Sequence, residues 1–178
     1  MAPWNYPFML LMTPVVGAIS AGCTAILKPS PYTPNVALTT GEMIAEFFAP
    51  EYLATVQGSR KVNEVLLEQR FDFIFYTGSP QVGKVVMRAA AEHLTPVVLE
   101  LGGKNPCIID KESNLDIAAS RVAFGKCINA GQTCLAPDYI FIHESVKEDF
   151  IRKLSRKITE MYGEDQEHSP FFPRIVNH

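Results

Sequence analysis

Short apolar runs alternate with longer amphipathic segments along most of the chain. The short runs have the length and the β-branched or aromatic content of buried strands, whereas the longer ones show helical spacing of apolar positions. Predicted strands cover residues 23–27, 53–57, 71–76, 97–101, 106–109 and 138–143, and predicted helices cover 9–21, 34–48, 61–69, 81–93, 115–128 and 146–162. This alternation predicts an α/β fold, with a Rossmann-like parallel sheet, helices on both faces and right-handed crossovers.

Local signals mark where several of these elements begin. Thr33 is predicted to cap the second helix with Pro34 in its first turn, and either Ser113 or Asn114 is predicted to cap the helix from residue 115. The prolines in segment 2–8 exclude a regular helix there. A domain boundary is expected near residues 101–103, which gives two parts, 1–101 and 102–178.

The amino-terminal stretch leaves two interpretations open. Residues 1–27 carry no charged side chain, and residues 8–27 form a mostly apolar run of 20 residues, which is long enough to span a bilayer. The run is interrupted by Pro14, Gly17 and Gly22, and no basic segment of the kind that begins a signal peptide precedes it. These features favour a buried helix and strand over a membrane span.

Composition and charge narrow the classes of partner. The 178 residues are 47% hydrophobic and 20% charged, with a net charge of -3 and no basic tract, so nucleic acid is not expected as a partner. The four cysteines form no Cys-x-x-Cys pair and no cluster with histidine, which argues against a metal site and a disulfide framework. Reduced thiols and a cytoplasmic location are expected.

Glu100 and Cys134 are candidates for a base and a nucleophile. Only a thiolate attacks well, and a free thiol titrates near pH ~8.5, so a catalytic cysteine needs a nearby base. Glu100 ends an apolar strand-like run, and apolar surroundings would raise its pKa and make it a better base near neutral pH. Spacing alone leaves a strand-end carboxylate and a buried structural thiol as the alternative.

Three further positions are candidates on local chemistry. The turn from Thr77 to Gly83 joins a strand to a helix start, where free amides and the helix dipole favour an anion. Its spacing is not Gly-x-Gly-x-x-Gly, and an ordinary turn is the alternative. Lys28 ends a predicted buried strand, where it either meets a ligand oxygen or is simply exposed to solvent. Asn5 either donates to an oxyanion or belongs to an ordinary turn.

Several short sequence motifs resemble those of a known family. Leu-Glu-Leu-Gly-Gly-Lys at 99–104 and Gly-Gln-Thr-Cys at 131–134 resemble the two active-site signatures of the aldehyde dehydrogenase superfamily. The continuation Leu-Ala-Pro-Asp-Tyr is similar to its class-3, or fatty-aldehyde, branch. The resemblance implies that Cys134 is the catalytic thiol and Glu100 the general base. The string Pro-Trp-Asn-Tyr-Pro-Phe implies that Asn5 stabilises the oxyanion together with the backbone N–H of Cys134.

The resemblance also implies a nicotinamide dinucleotide, NAD or NADP. The string Phe-Tyr-Thr-Gly-Ser-x-x-Val-Gly-Lys puts Gly78, Ser79 and Gly83 beside this cofactor. Lys28 would face the adenosine ribose, and Gly58 would lie in a turn near the adenine. Pro31 stands where the family has a glutamate that also reaches the ribose, which leaves the contact on the adenosine side incomplete.

The implied activity is oxidation of medium- or long-chain aldehydes to carboxylic acids through a cysteine thioester. Residues 1–101 would be the nucleotide-binding domain without its amino-terminal part, and 102–178 the start of the catalytic domain. The resemblance runs from Ala2 to Asn177 but covers only the middle of the family's fold. The oligomerisation arm of a usually homo-oligomeric family and any carboxyl-terminal membrane anchor would be missing. Three hypotheses follow: a dehydrogenase, a truncated chain that binds dinucleotide or a full-length partner without turnover, and a small membrane protein.

Overall fold

The computed structural model describes residues 1–177, in which helices and parallel strands alternate. Its helices are α1 Met9–Ser20, α2 Pro34–Phe47, α3 Arg60–Leu67, α4 Pro80–Ala91, α5 Leu115–Cys127 and α6 Lys147–Tyr162. Its strands are β1 Ala25–Leu27, β2 Leu53–Thr55, β3 Ile74–Thr77, β4 Val97–Glu100, β5 Asn105–Ile109 and β6 Pro137–Ile142. The chain divides into two compact units, Met1–Leu101 and Gly102–His178.

Every strand pair in the described residues is parallel. In the first unit β1 pairs with β2 and β3 pairs with β4, and in the second unit β5 pairs with β6. Parallel neighbours require a crossover, and each crossover here contains a helix. The predicted α/β class with parallel strands is confirmed, although the strands form three separate pairs rather than one continuous hydrogen-bonded sheet.

The first two residues lie between β1 and β3 in the first unit. The Met1 amino group donates to the Phe75 carbonyl at 2.8 Å, and the Thr77 N–H donates to the Met1 carbonyl at 3.1 Å. This pair of bonds is the pattern of a parallel bridge. On the other side the Ala2 N–H donates to the carbonyl of Lys28 at 3.0 Å. Met1 and Ala2 therefore join the carboxyl ends of β1 and β3, an arrangement that the sequence analysis did not foresee.

Apolar side chains form separate cores in the two units. The first unit contains one cluster around α1, β1, α2 and β2 and another around α3, β3 and α4, and the second unit has its own cluster on β5, α5 and α6. Fully buried members of these clusters are Leu27, Ile44, Leu53, Val86 and Phe150. Each unit thus buries the apolar faces of its own helices against its own strands.

The amino-terminal apolar run divides into a helix and a strand. Helix α1 ends at Ser20, and Gly22, at a φ of 78°, turns the chain into β1. Leu11 and Val15 of α1 pack in the core of the first unit. Among residues 1–177 no helix has the length and apolar character needed to cross a membrane. The break at Gly22 and the core packing of α1 agree with the predicted buried helix and strand.

Two predicted local features are wrong in detail. Thr33 does precede α2, but its hydroxyl makes no capping bond and instead donates to the Ser30 carbonyl at 3.5 Å. Residues 71–73 are not part of β3, because the partner strand β4 begins only at Val97, opposite Ile74. Of the two residues predicted to cap α5, Ser113 and Asn114, it is Asn114 that does so. Its Oδ1 accepts from the Ile117 N–H at 3.2 Å.

Candidate active site

The turn after β3 is built by its own side chains. Ser79 Oγ accepts from the Val82 N–H at 3.3 Å and caps α4, which Pro80 begins. Gly78 passes so close to the Tyr76 ring that a side chain at this position would overlap the Tyr76 hydroxyl. Gly83, buried in the first turns of α4, lets the helix approach Leu101. The three predicted cofactor residues thus shape a turn that ends in a capped helix N-terminus, the kind of feature that suits an anion.

Glu100 lies beside this turn. It is the last residue of β4, in register with Thr77, and its carbonyl accepts from the Gly78 N–H at 2.9 Å. The expectation of apolar surroundings is wrong, because Glu100 is exposed. Strand alternation explains this, since Val97 and Leu99 pack on the core while Glu100 faces the other way. The carboxylate is therefore available to solvent at the carboxyl end of β4.

Lys28 is a buried cation at the carboxyl end of β1. Only 3% of the residue is exposed, and its Nζ donates to the Pro29 carbonyl at 2.8 Å. The alternative of a solvent-exposed lysine is therefore wrong. Burial lowers the pKa of the ammonium group, because removing it from water disfavours the charged form. An ammonium carries three donors, so Lys28 can also hold oxygen atoms of a ligand.

A pocket of about 240 Å³ adjoins Lys28. It is lined by residues 29–31, Pro34 and Ala37 on one side and by residues 57–59 on the other. These segments follow the carboxyl ends of β1 and β2, where parallel α/β sheets bind ligands. Gly58 lines the pocket at a φ of 138°, and a Cβ there would lie 2.5 Å from Val62 Cγ2. The structure thus brings Gly58 and Pro31 to one pocket, and Lys28 directly precedes its lining residues 29–31.

Asn5 lies in the irregular segment before α1. The residue is half-buried, and the segment follows Met1 and Ala2, which are hydrogen-bonded at the carboxyl ends of β3 and β1. Two prolines keep residues 2–8 out of regular structure, as the sequence predicts. Its predicted role toward an oxyanion remains a prediction.

Cys134 follows an unusual backbone segment in the second unit. After α5 ends, three consecutive residues have left-handed φ angles, namely Asn129 at 52°, Ala130 at 53° and Gly131 at 74°. Gln132 Nε2 donates back to the Asn129 carbonyl at 2.9 Å, and the Thr133 N–H donates to the Gly131 carbonyl at 2.8 Å. Non-glycine residues in this region cost on the order of 1–3 kcal/mol each and cluster at functional sites.

The backbone after the thiol is held by Asn105, which the sequence analysis did not single out. Asn105 Nδ2 donates to the carbonyls of Cys134 at 2.6 Å and Ala136 at 3.2 Å. Gly103 lies behind the same carbonyl, and a side chain there would overlap the Cys134 oxygen. The available sequence signal was an amide residue placed two positions after a glycine pair, at the start of a strand.

Comparison with known proteins identifies the family. The profile described as "Aldehyde dehydrogenase family" matches residues 1–173. The chain is 51% identical over 176 residues to the 4,4'-diaponeurosporen-aldehyde dehydrogenase of Staphylococcus aureus, covering 99% of this chain and 38% of that protein. It is 49% identical over 174 residues to the mouse aldehyde dehydrogenase family 3 member A2, covering 98% of this chain and 36% of that protein.

Solved structures agree with the sequence comparison. The structure titled "Substrate bound state of Staphylococcus Aureus AldH" superposes with a TM-score of 0.91 at 50% identity, covering 99% of this chain and 38% of that one. The predicted fold and the resemblance to the class-3 branch are confirmed. The chain spans somewhat over a third of the length of the curated relatives it matches. On this match of sequence and fold, the chain belongs to the aldehyde dehydrogenase family.

Proposed function

We propose that the chain carries the catalytic centre of an NAD- or NADP-dependent aldehyde dehydrogenase that oxidises medium- or long-chain aldehydes to carboxylic acids. The observation that carries the proposal is the setting of Cys134. The thiol of the family string follows three left-handed residues, and its carbonyl is bound by Asn105. The backbone is strained before Cys134 and hydrogen-bonded after it, and together these restraints fix the direction of the Cα–Cβ bond. A nucleophile requires such a fixed direction.

The first unit fits the dinucleotide that the family uses. Lys28 would hold ribose oxygens, and the adjoining pocket with Gly58 would take the adenine ring. Gly78, Ser79 and Gly83, at the capped N-terminus of α4, would face the phosphates and the nicotinamide side. When bound, a nicotinamide dinucleotide accepts the hydride of an aldehyde oxidation. The residues that line the pocket near Pro31 would contribute to the choice between NAD and NADP.

The reaction follows from the roles proposed for three side chains. The Cys134 thiolate adds to the aldehyde carbon, and the Asn5 amide and the Cys134 N–H donate to the resulting oxyanion. Loss of the hydride from that carbon leaves a thioester on Sγ. Glu100 takes a proton from water, whose oxygen attacks the thioester carbon, and the carboxylic acid and the free thiol result. The exposure of Glu100 gives water access to this base.

A second candidate function is dinucleotide binding, or association with a full-length partner, without turnover. One observation favours it: all the proposed cofactor residues lie within one compact unit, Met1–Leu101. Binding of NAD or NADP with no aldehyde-dependent reduction would support this second function over the first.

The test is turnover of purified chain with a series of straight-chain aldehydes, followed by NADH or NADPH absorbance. Cys134→Ala should lower kcat at least about a thousandfold, because no other group forms the thioester. Cys127→Ala is the matched control, since this thiol lies at the end of α5 and has no role in the proposed mechanism. Wild-type-like turnover in Cys134→Ala would refute the assignment.

A further inference from the structure

We infer that Asn105 is a positioning residue for Cys134, which it fixes by clamping the backbone that follows the thiol. The inference rests on the proposed function, because it explains how the proposed nucleophile is held. No string of the family resemblance included Asn105, and the assignment comes from the geometry of the second unit alone.

The clamp uses both hydrogens of one amide group. Asn105 Nδ2 lies 2.6 Å from the Cys134 carbonyl oxygen and 3.2 Å from the Ala136 carbonyl oxygen. A primary amide carries two donor hydrogens, so each carbonyl receives one. The two acceptors belong to the Cys134–Leu135 and Ala136–Pro137 peptide units, so both of these units are held in one orientation.

Asn105 is held rigidly because it lies at the start of a strand. Asn105 is the first residue of β5 and pairs in register with Pro137 of β6, next to an irregularity between Asn105 and Pro106. The donor of the clamp thus lies at the start of a parallel pair whose apolar residues pack in the core of the second unit, and its acceptors lie just before the partner strand. The amide is therefore fixed by the fold rather than by the turn that it holds.

Gly103 closes the other side of the same carbonyl. A Cβ at this position would overlap the Cys134 oxygen and lie 2.8 Å from Asn105 Nδ2. The backbone at Gly103 therefore leaves the Cys134 carbonyl no room to rotate away from the clamp. With Asn129, Ala130 and Gly131 fixed upstream, the residue that carries the thiol is restrained from both directions.

The restraint acts on the two groups of Cys134 that the proposed mechanism uses. Fixing the backbone on both sides of Cα sets the direction of the Cα–Cβ bond, which carries the thiol, and of the N–H proposed for the oxyanion. A displacement of about 1 Å at a reacting group can cost on the order of a hundredfold in rate. Loss of the clamp should therefore act on the chemical step and leave binding of the dinucleotide nearly unchanged.

The experiment compares Asn105→Asp, Asn105→Ala and Gly103→Ala with the wild-type chain. Aspartate keeps the shape of asparagine but, when ionised, donates no hydrogen bond. Asn114→Ala is the matched control, because it removes another asparagine contact in the same unit, the cap of α5. Iodoacetamide alkylation of Cys134 is measured by peptide mass spectrometry relative to exposed Cys23 in the same molecules, and kcat and KM are measured with dinucleotide and aldehyde.

The clamp predicts that the alkylation rate of half-buried Cys134 relative to Cys23 rises at least about threefold in the three variants, because a released backbone exposes the thiol more often, and changes by less than about twofold in Asn114→Ala. It also predicts a loss of about a hundredfold in kcat with a change of less than about threefold in the KM for the dinucleotide. Melting temperatures identify any variant that fails to fold, and the remaining variants decide the result.

An alkylation ratio that stays at the wild-type value or falls in folded Asn105→Asp would overturn the clamp. Alkylation needs neither cofactor nor turnover, so this arm is decisive even if the chain shows no dehydrogenase activity. Retained turnover in Cys134→Ala would instead refute the proposed function, and the two failures are therefore distinguishable.

Discussion

At the scale of single residues, burial changes the interpretation of Lys28 most. A lysine at the end of a strand is ordinarily exposed, yet Lys28 is 3% exposed and has a lowered pKa because of its burial. The amino group of Met1 is buried nearby, and its pKa is lowered to about 6, first by burial and then by the charge of Lys28. Charging both amines in one buried region is costly, which is why the pKa of each is lowered, and an anionic or oxygen-rich ligand would reduce that cost.

Gly58 gives a stability prediction at this scale. Gly58→Ala should lower the free energy of unfolding of the first unit by about 1–3 kcal/mol, because φ is 138° and the new Cβ would lie 2.5 Å from Val62 Cγ2. Gly17→Ala is the control, since no atom lies within 4 Å of the added Cβ and alanine favours the helix.

Urea unfolding followed by the fluorescence of Trp4, the one tryptophan in the sequence, measures the first unit directly. The expected order of stability is Gly17→Ala at or above the wild type, and Gly58→Ala below it. Equal stability of Gly58→Ala and the wild type would contradict the tight turn from β2 to α3.

At the scale of elements, the sequence predicts the six α-helices and six strands of residues 1–177 but neither the two short 3-10 helices, Ile128–Gly131 and Glu144–Val146, nor how the strands meet. Periodicity and caps locate helices well because they are local, as Asn114 at the start of α5 illustrates. Strand ends depend on the partner strand, so residues 71–73 were assigned to β3 although β4 has no residue to pair with them. The position of Met1 and Ala2 between β1 and β3 depends on contacts of high sequence separation, which no local pattern encodes.

The buried Met1 amine gives a pH prediction for these elements. Its pKa falls from an ordinary 8.0 to about 6 on folding, so the unfolded chain binds more protons between these pH values. The free energy of unfolding should therefore rise from pH 6 to pH 8, by roughly 2 kcal/mol, and this stability is lost as the pH falls again.

Acetylation of the amino terminus isolates this group from the histidines that titrate in the same range. The acetylated chain should lack this part of the pH dependence, so the stability that the free chain lacks relative to the acetylated chain, again followed by Trp4, should be largest near pH 6 and should shrink toward pH 8. Parallel curves for the free and acetylated chains would show that the amine is not buried as described.

At the scale of the whole molecule, the candidate residues belong to two compact units. Asn5, Lys28, Glu100 and the turn after β3 belong to Met1–Leu101, whereas Cys134 and Asn105 belong to Gly102–His178. The exact strings allowed the family and the candidate residues to be predicted. They could not reveal the left-handed residues before Cys134 or the amide bonds after it, because both depend on backbone geometry rather than on residue type.

Trapping of the acyl intermediate tests most directly whether Cys134 is the nucleophile and Glu100 the base that frees it. Glu100→Gln removes the base proposed to activate water but leaves the thiol, so an aldehyde and the oxidised dinucleotide should leave an acyl group on the protein. Peptide mass spectrometry should find the added acyl mass on Cys134 in this variant and not in Glu100→Gln with Cys134→Ala. Fast steady turnover in Glu100→Gln without an adduct, or an adduct on another residue, would contradict the proposed mechanism.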